Sequence, residues 1–157
     1  MYDTTRDLLD AFRATPETLQ RLLHGVSDNQ ARIARGGDEN WSVIEVLCHL
    51  RDAEERGLER MRAMRDTDNP RLAGHDQAQG AIERNYSAAR LPDALSEFVR
   101  LRALHAAELT ALPAVDWQRT GQHAEMGTIT ITSHALHLVS HDAIHLAQIA
   151  RQLADTA

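Results

Sequence analysis

A single cysteine, Cys48, excludes an internal disulfide. No cluster of lysine or arginine stands out either. Against 23 acidic residues there are 17 basic ones, a formal charge of −6, which disfavours a nucleic-acid-binding role. No apolar run approaches the roughly 20 residues needed to span a bilayer. The opening stretch MYDTTRDLLDAF is acidic and amphipathic, where a signal peptide would be basic and then continuously apolar. Internal repeats and low-complexity segments are also lacking. Together these absences point to a soluble, cytoplasmic protein with no membrane partner. At 157 residues and 43% hydrophobic, the chain suits one domain spanning residues 1–157, large enough to bury a core without disulfides or metal staples. A metal held here is therefore expected to serve chemistry rather than folding.

What is present is helical periodicity. Leu8, Leu9, Phe12, Leu19, Leu22, Leu23 and Val26 recur at helical spacing, predicting a first helix over about residues 3–25, with Pro16 able to kink or restart it. Residues 27–40 read as a connector. Ser42 followed by Glu45 fits a capping box, and Trp41 with Val46 fits a hydrophobic staple, so a second helix is expected to run from there to about Asp66. A third is expected between Pro92 and Leu112, carrying Leu95, Phe98, Leu101, Leu104 and Leu109 before Pro113 stops it, and a fourth from near Thr130 onward. No strand is expected. Four such helices in a chain this short predict an all-α, four-helix bundle. The connections 66–90 and 113–129 exceed the roughly 2–8 residues a bundle needs, and read equally well as solvated linkers or as loops covering a site. The first holds a patch that suits a short helix leading to Tyr86.

The last helix raises the functional question. His134, His137, His141 and His145, continued by Gln148 and Gln152, trace one polar stripe on a helix otherwise rich in Ile, Leu, Val and Ala. Buried polar groups cost a few kcal/mol each, so the stripe must face a partner, a cavity or an ion. The alternative is a solvent face, but one without Lys, Glu or Arg until Arg151. His141 and His145, four residues apart, can share one metal ion, which then needs a third ligand from elsewhere. His49, beside the apolar stripe of Val43, Leu47, Leu50, Leu58 and Met61, can point toward a neighbouring helix, as a ligand or as a structural core histidine.

The stretch WSVIEVLCHLRDAE, followed far downstream by HAEMGTITI and SHDAIHLAQI, resembles the DinB/YfiT-like family of metal-dependent enzymes, with matching features along nearly the whole chain. The resemblance implies that His49, His141 and His145 bind one divalent metal: zinc or nickel foremost, iron or manganese also compatible with imidazole. Three protein ligands leave an open position for water or a thiol, as in catalytic sites. It further implies a low-molecular-weight-thiol S-transferase, joining a thiol cosubstrate to a small electrophile in detoxification or stress response. The alternatives are a metal-dependent hydrolase using metal-bound water and a stress protein that binds metal or ligand without turnover. A homodimer is expected from the family and from ample apolar helical surface. Around the triad, Asp52 (or Glu45, already engaged in the cap) could hydrogen-bond His49, and Gln148 could reach substrate or a ligand histidine. His137 fits a cavity lining. Asp142, about 100° from His141 around the helix, suits orienting a ligand from another helix or capping an ion pair. Arg102, or less well Arg100, could bind an anionic substrate or merely pair on the surface. Cys48 reads as a small core residue.

Overall fold

The computed structural model describes residues 3–157. Four long helices dominate: α1 (Thr4–Leu22), α3 (Val43–Asp66), α5 (Leu91–Thr110) and α6 (Ile131–Asp155), with short α2 (Asp28–Ile33) and α4 (Gln77–Glu83) between them. Helix α3 packs on α5 and α6, and α1 packs on the same two, so α1 and α3 lie on a diagonal of an all-α four-helix bundle. The starts follow the expected chemistry. Ser42 and Glu45 form a reciprocal capping box on α3, and Thr130 caps α6 in a box with Ser133. Helix α1 runs through Pro16 without stopping. Phe12 and Leu19, both fully buried on either side of it, and the Thr15 hydroxyl bonded to Asp142 hold both halves in line despite the missing hydrogen bond.

The expectation of no strand is corrected. Strand β1 (Arg35–Gly36) pairs antiparallel with β2 (Trp41–Ser42), while β3 (Arg71–Leu72) pairs parallel with β4 (Thr120–His123), which pairs antiparallel with β5 (Gly127–Thr130). These pieces are too short for a period-2 pattern to register. They turn all three inter-helix connections into ordered structure, and residues 27–40 hold α2 and a hairpin where only a connector was expected. The short helix before Tyr86 is present as α4, and Tyr86 is buried. Leu104 departs from its expected inward face and is 38% exposed.

The core is divided. One apolar cluster gathers Leu19, Trp41, Ile44, Leu47, Leu50, Tyr86, Phe98 and Ile149; the other gathers Phe12, Leu58, Met61, Met64, Leu109, Trp117 and Leu138. On each long helix the residue between the two apolar segments is polar: Thr15 on α1, Glu54 on α3, Arg102 and His105 on α5, and Asp142 on α6, all buried. This layer crosses the waist of the bundle and adjoins the histidines.

Candidate metal centre

His49 projects from α3, and His141 and His145 project from adjacent turns of α6, because i and i+4 share a helix face. Their ring centroids form a nearly equilateral triangle with sides of 4.8, 4.8 and 4.5 Å. One ring nitrogen from each lies within 4.8 Å of the others. Tetrahedral zinc, with Zn–N of about 2.0–2.1 Å, sets its donors roughly 3.4 Å apart, so modest side-chain adjustment brings the set to bonding geometry. His49 is buried, with the Trp41 ring 5.2 Å from its own; His141 and His145 are partly buried.

The hydrogen bonding of the rings fits a cation. His49 Nε2 lies 2.8 Å from His141 Nε2, while Nδ1 of both rings is buried without a partner. Two imidazole lone pairs at that distance repel unless a proton or a metal ion joins them. His145 donates from Nδ1 to Gln148 Oε1 at 2.9 Å, which leaves its Nε2 lone pair free. Gln148 is itself bonded to Gly36 O at 3.4 Å, and a Cβ at Gly37 would stand 2.7 Å from Gln148 Nε2. Gly37, at φ +75°, is thus required both by its backbone and by the closeness of Gln148. Gln148→Ala should weaken metal binding about tenfold or more by freeing the His145 ring; competition with a chromophoric chelator measures it, and unchanged affinity would contradict this role.

Burial, with the neighbouring imidazoles as a lesser cause, pushes His49 and His141 down to about 3; burial pushes His134 down to about 4. All three are therefore neutral near pH 7, as metal ligation requires of the first two. An unfolded imidazole takes up its proton near 6.5. Between that value and the folded ones the unfolded chain binds more protons, so stability is present above about pH 6.5 and is lost on acidification, by up to ~1.4 kcal/mol per pH unit for each histidine. Metal-free protein should show a clearly lower urea midpoint near pH 5 than near pH 7, and equal midpoints would refute the assignment.

His134 and His137 lie farther along the stripe and line a cavity of about 240 Å³ whose wall includes His49 and His141. His134 donates from Nε2 to Gly57 O at 3.1 Å, so that nitrogen is committed to the backbone. The His137 ring lies 6.3 Å from that of His141. Asp52 does not reach His49: its carboxylate accepts from Tyr86 and Arg51 and pairs with Arg84. Neither does Arg102 reach the cavity or the surface. It is buried between Glu54 and Asp142, which engage both of its terminal nitrogens. Arg100 pairs with Glu97 on the surface. Cys48 is a buried core thiol that burial pushes up to about 11. Both long connections reach the cavity, through His75 and through His123 and Glu125. Arg56 and Arg60 also line it; no motif marks them, although they sit seven and eleven residues beyond His49 on one helical face.

The fold and this cluster define a four-helix bundle with a three-imidazole site between two of its helices. The sequence profile of the DinB superfamily matches residues 11–149, and the chain belongs to that superfamily. A protein of Oceanobacillus iheyensis, provisionally named a metal-dependent hydrolase, is 30% identical over 112 residues, which cover 69% of this chain and 63% of that protein. The chain thus spans less than two thirds of that relative's length. The structure of YfiT from Bacillus subtilis, provisionally described as a metal-dependent hydrolase with an unusual four-helix bundle topology, superposes with a TM-score of 0.87 at 20% identity, covering 96% of this chain and 86% of YfiT. At that identity the likeness concerns the fold. No helix among the described residues is long and apolar enough to cross a membrane.

Proposed function

We propose that His49, His141 and His145 hold one divalent ion and that the protein is a metal-dependent enzyme acting on a small molecule in the adjoining cavity. One observation carries the reading: three imidazole nitrogens from two helices within 4.8 Å of one another, two of the rings forming part of the cavity wall. A metal ion bound by three neutral ligands keeps its full charge and an open position, and so lowers the pKa of a water or thiol there. Zinc and nickel suit the donor set best, with iron and manganese next. The chain's own part is to orient His145 through Gln148 and to pack His49 beside Trp41. His137, exposed and beside His141, stands where it can take a proton from the nucleophile or return one to a leaving group.

That neighbouring base, and the hydrolase names of the two relatives, support hydrolysis first. S-transfer from a low-molecular-weight thiol to a small electrophile is the second reading. It derives from the family likeness, and a thiol already acidified by the metal has little need of His137. The experiment compares metal-loaded with metal-stripped protein on a panel of simple esters and amides, and on low-molecular-weight thiols with monochlorobimane. Metal-dependent hydrolysis that falls about 100-fold or more in His137→Ala, with metal retained, supports the first reading. Metal-dependent conjugation indifferent to His137→Ala supports the second, and no turnover of either kind would favour a binding protein.

We also propose a homodimer formed through the outer face of α6. Leu136, Ser140, Ala143, Ile144, Ala147 and Ala150 are exposed there, with Arg151 as the one charge at the end of the face. Sedimentation should give a dimer at micromolar concentration and a monomer for Ile144→Glu; a wild-type monomer would end the proposal.

A further inference from the structure

The cavity is basic although the chain is acidic. Among the described residues its lining includes two arginines, Arg56 and Arg60, against one carboxylate, Glu125, while the whole chain carries a formal charge of −6. On α3, His49, Ala53, Arg56 and Arg60 follow at spacings of four, three and four, so both guanidiniums rise from the face that carries the His49 ligand candidate.

Among the described residues neither has a carboxylate partner; Arg6, Arg32, Arg71 and Arg151 also lack one, but they lie outside this cavity. Arg51, Arg62, Arg65, Arg84, Arg100 and Arg102 each have a carboxylate within 3.1 Å. Arg56 has neither a carboxylate within 4.0 Å nor a hydrogen bond among the described residues, and Arg60 donates only to the backbone, to Ala73 O at 2.6 Å. Glu125 favours the Arg60 charge from a distance but ion-pairs with neither arginine within 4.0 Å; its side chain lies against Gly74. Both arginines are partly buried, and burial holds both guanidiniums below their ordinary pKa, yet far too high to lose the charge near neutrality. A half-desolvated charge without a counter-ion is costly and invites an anion.

A third donor adjoins them. His123 Nδ1 accepts the backbone N–H groups of Glu125 at 3.1 Å and Met126 at 3.2 Å. The proton of the neutral ring must then sit on Nε2, which leaves a neutral N–H donor in the wall of the same cavity. Guanidinium forks with a fixed N–H beside them match a group bearing two or three equivalent oxygens.

We propose that Arg56, Arg60 and His123 bind a carboxylate or phosphate group of the substrate, holding the remainder of the molecule toward the three-histidine cluster. This assignment rests on the cavity being the substrate site, but the anion contact itself needs no metal. An acidic chain repels anions at long range, so specificity lies in this local patch.

The test measures anion binding to metal-free protein at low ionic strength, by ³¹P line broadening with inorganic phosphate and by proton saturation transfer with succinate. Wild type should bind one or both saturably, and the stronger of the two identifies the group recognised. Arg56→Gln and Arg60→Gln should each weaken binding about tenfold or more, and the double variant should abolish it. Arg100→Gln, which alters a surface ion pair elsewhere, should bind as wild type does. Arg56 has no partner whose loss could disturb the fold, so it is the decisive variant, with helicity recorded on the same samples. His141→Ala should lose metal and keep anion binding, which separates this proposal from the metal assignment. Wild-type protein that binds neither anion, or an Arg56→Gln variant that binds both as well as wild type, would overturn it.

Discussion

Arg102→Met is expected to remove about 3–5 kcal/mol of stability. Arg102 is 1% exposed. Its Nη1 donates to Asp142 Oδ2 at 2.7 Å and to Phe12 O at 2.9 Å, and its Nη2 donates to Asp142 Oδ1 at 3.1 Å and lies 2.8 Å from Glu54 Oε2. The guanidinium also stacks over Phe12, 4.0 Å from the ring centroid. Methionine fills similar volume but leaves two buried carboxylates facing each other, relieved only by Thr15 on Asp142 and His105 on Glu54. Burial already pushes Asp142 above its ordinary value even with Arg102 present, so without it the carboxylate must take up a proton or leave the core. In a domain this size the change corresponds to a fall in Tm of roughly 6–20 °C. Arg100→Met, at an exposed pair, should cost under about 1 kcal/mol. Urea unfolding of the two variants measures the contrast, and comparable losses would contradict the buried network.

The second large effect concerns the metal. His49→Ala, His141→Ala and His145→Ala should each lower affinity by at least ~10- to 100-fold, because loss of a direct ligand exceeds the loss of a group that merely orients one. Helicity of metal-free samples should hold in His49→Ala and His141→Ala, each of which removes one ring from the 2.8 Å contact between the two Nε2 atoms and leaves both apolar clusters in place. His134→Ala should cost stability instead, through the bond from Nε2 to Gly57 O, and leave affinity nearly intact. Competition against a chromophoric chelator, run beside urea unfolding, separates the two classes.

The four long helices were legible because their apolar spacing is strong and their starts carry side-chain caps: Ser42 with Glu45, and Thr130 ahead of Ser133. The strands were not, since two-residue and four-residue ladders owe their pairing to tertiary closure rather than to alternation. The polar stripe on α6 was visible at residues 134–145, and its inward orientation follows from the bonds that Gln148 and Gln152 make to Gly36 and to Ala34 and Trp41. Pairing by position misled at Asp52: three residues from His49 puts it near the same helical face, yet Tyr86 and two arginines draw its carboxylate away. Arg102 misled in the other direction. It reads as an anion-binding or surface-paired residue, and only the convergence of Glu54 and Asp142 from two other helices makes its burial tolerable. His75 and His123 reach the cavity from separate connections, and no periodicity links residues that distant in sequence.

Two imidazoles from α6 and one from α3 are proposed to hold a single ion that the fold itself does not require. Elemental analysis of purified wild type, His49→Ala, His134→Ala and His141→Ala, with circular dichroism on the same samples, tests it most directly. One divalent ion per chain is expected in wild type and in His134→Ala, little or none in His49→Ala and His141→Ala, and the same helicity in all four, because a core of this size stands without a metal. Stoichiometric metal in His49→Ala, or loss from His134→Ala as complete as from His141→Ala, would contradict it.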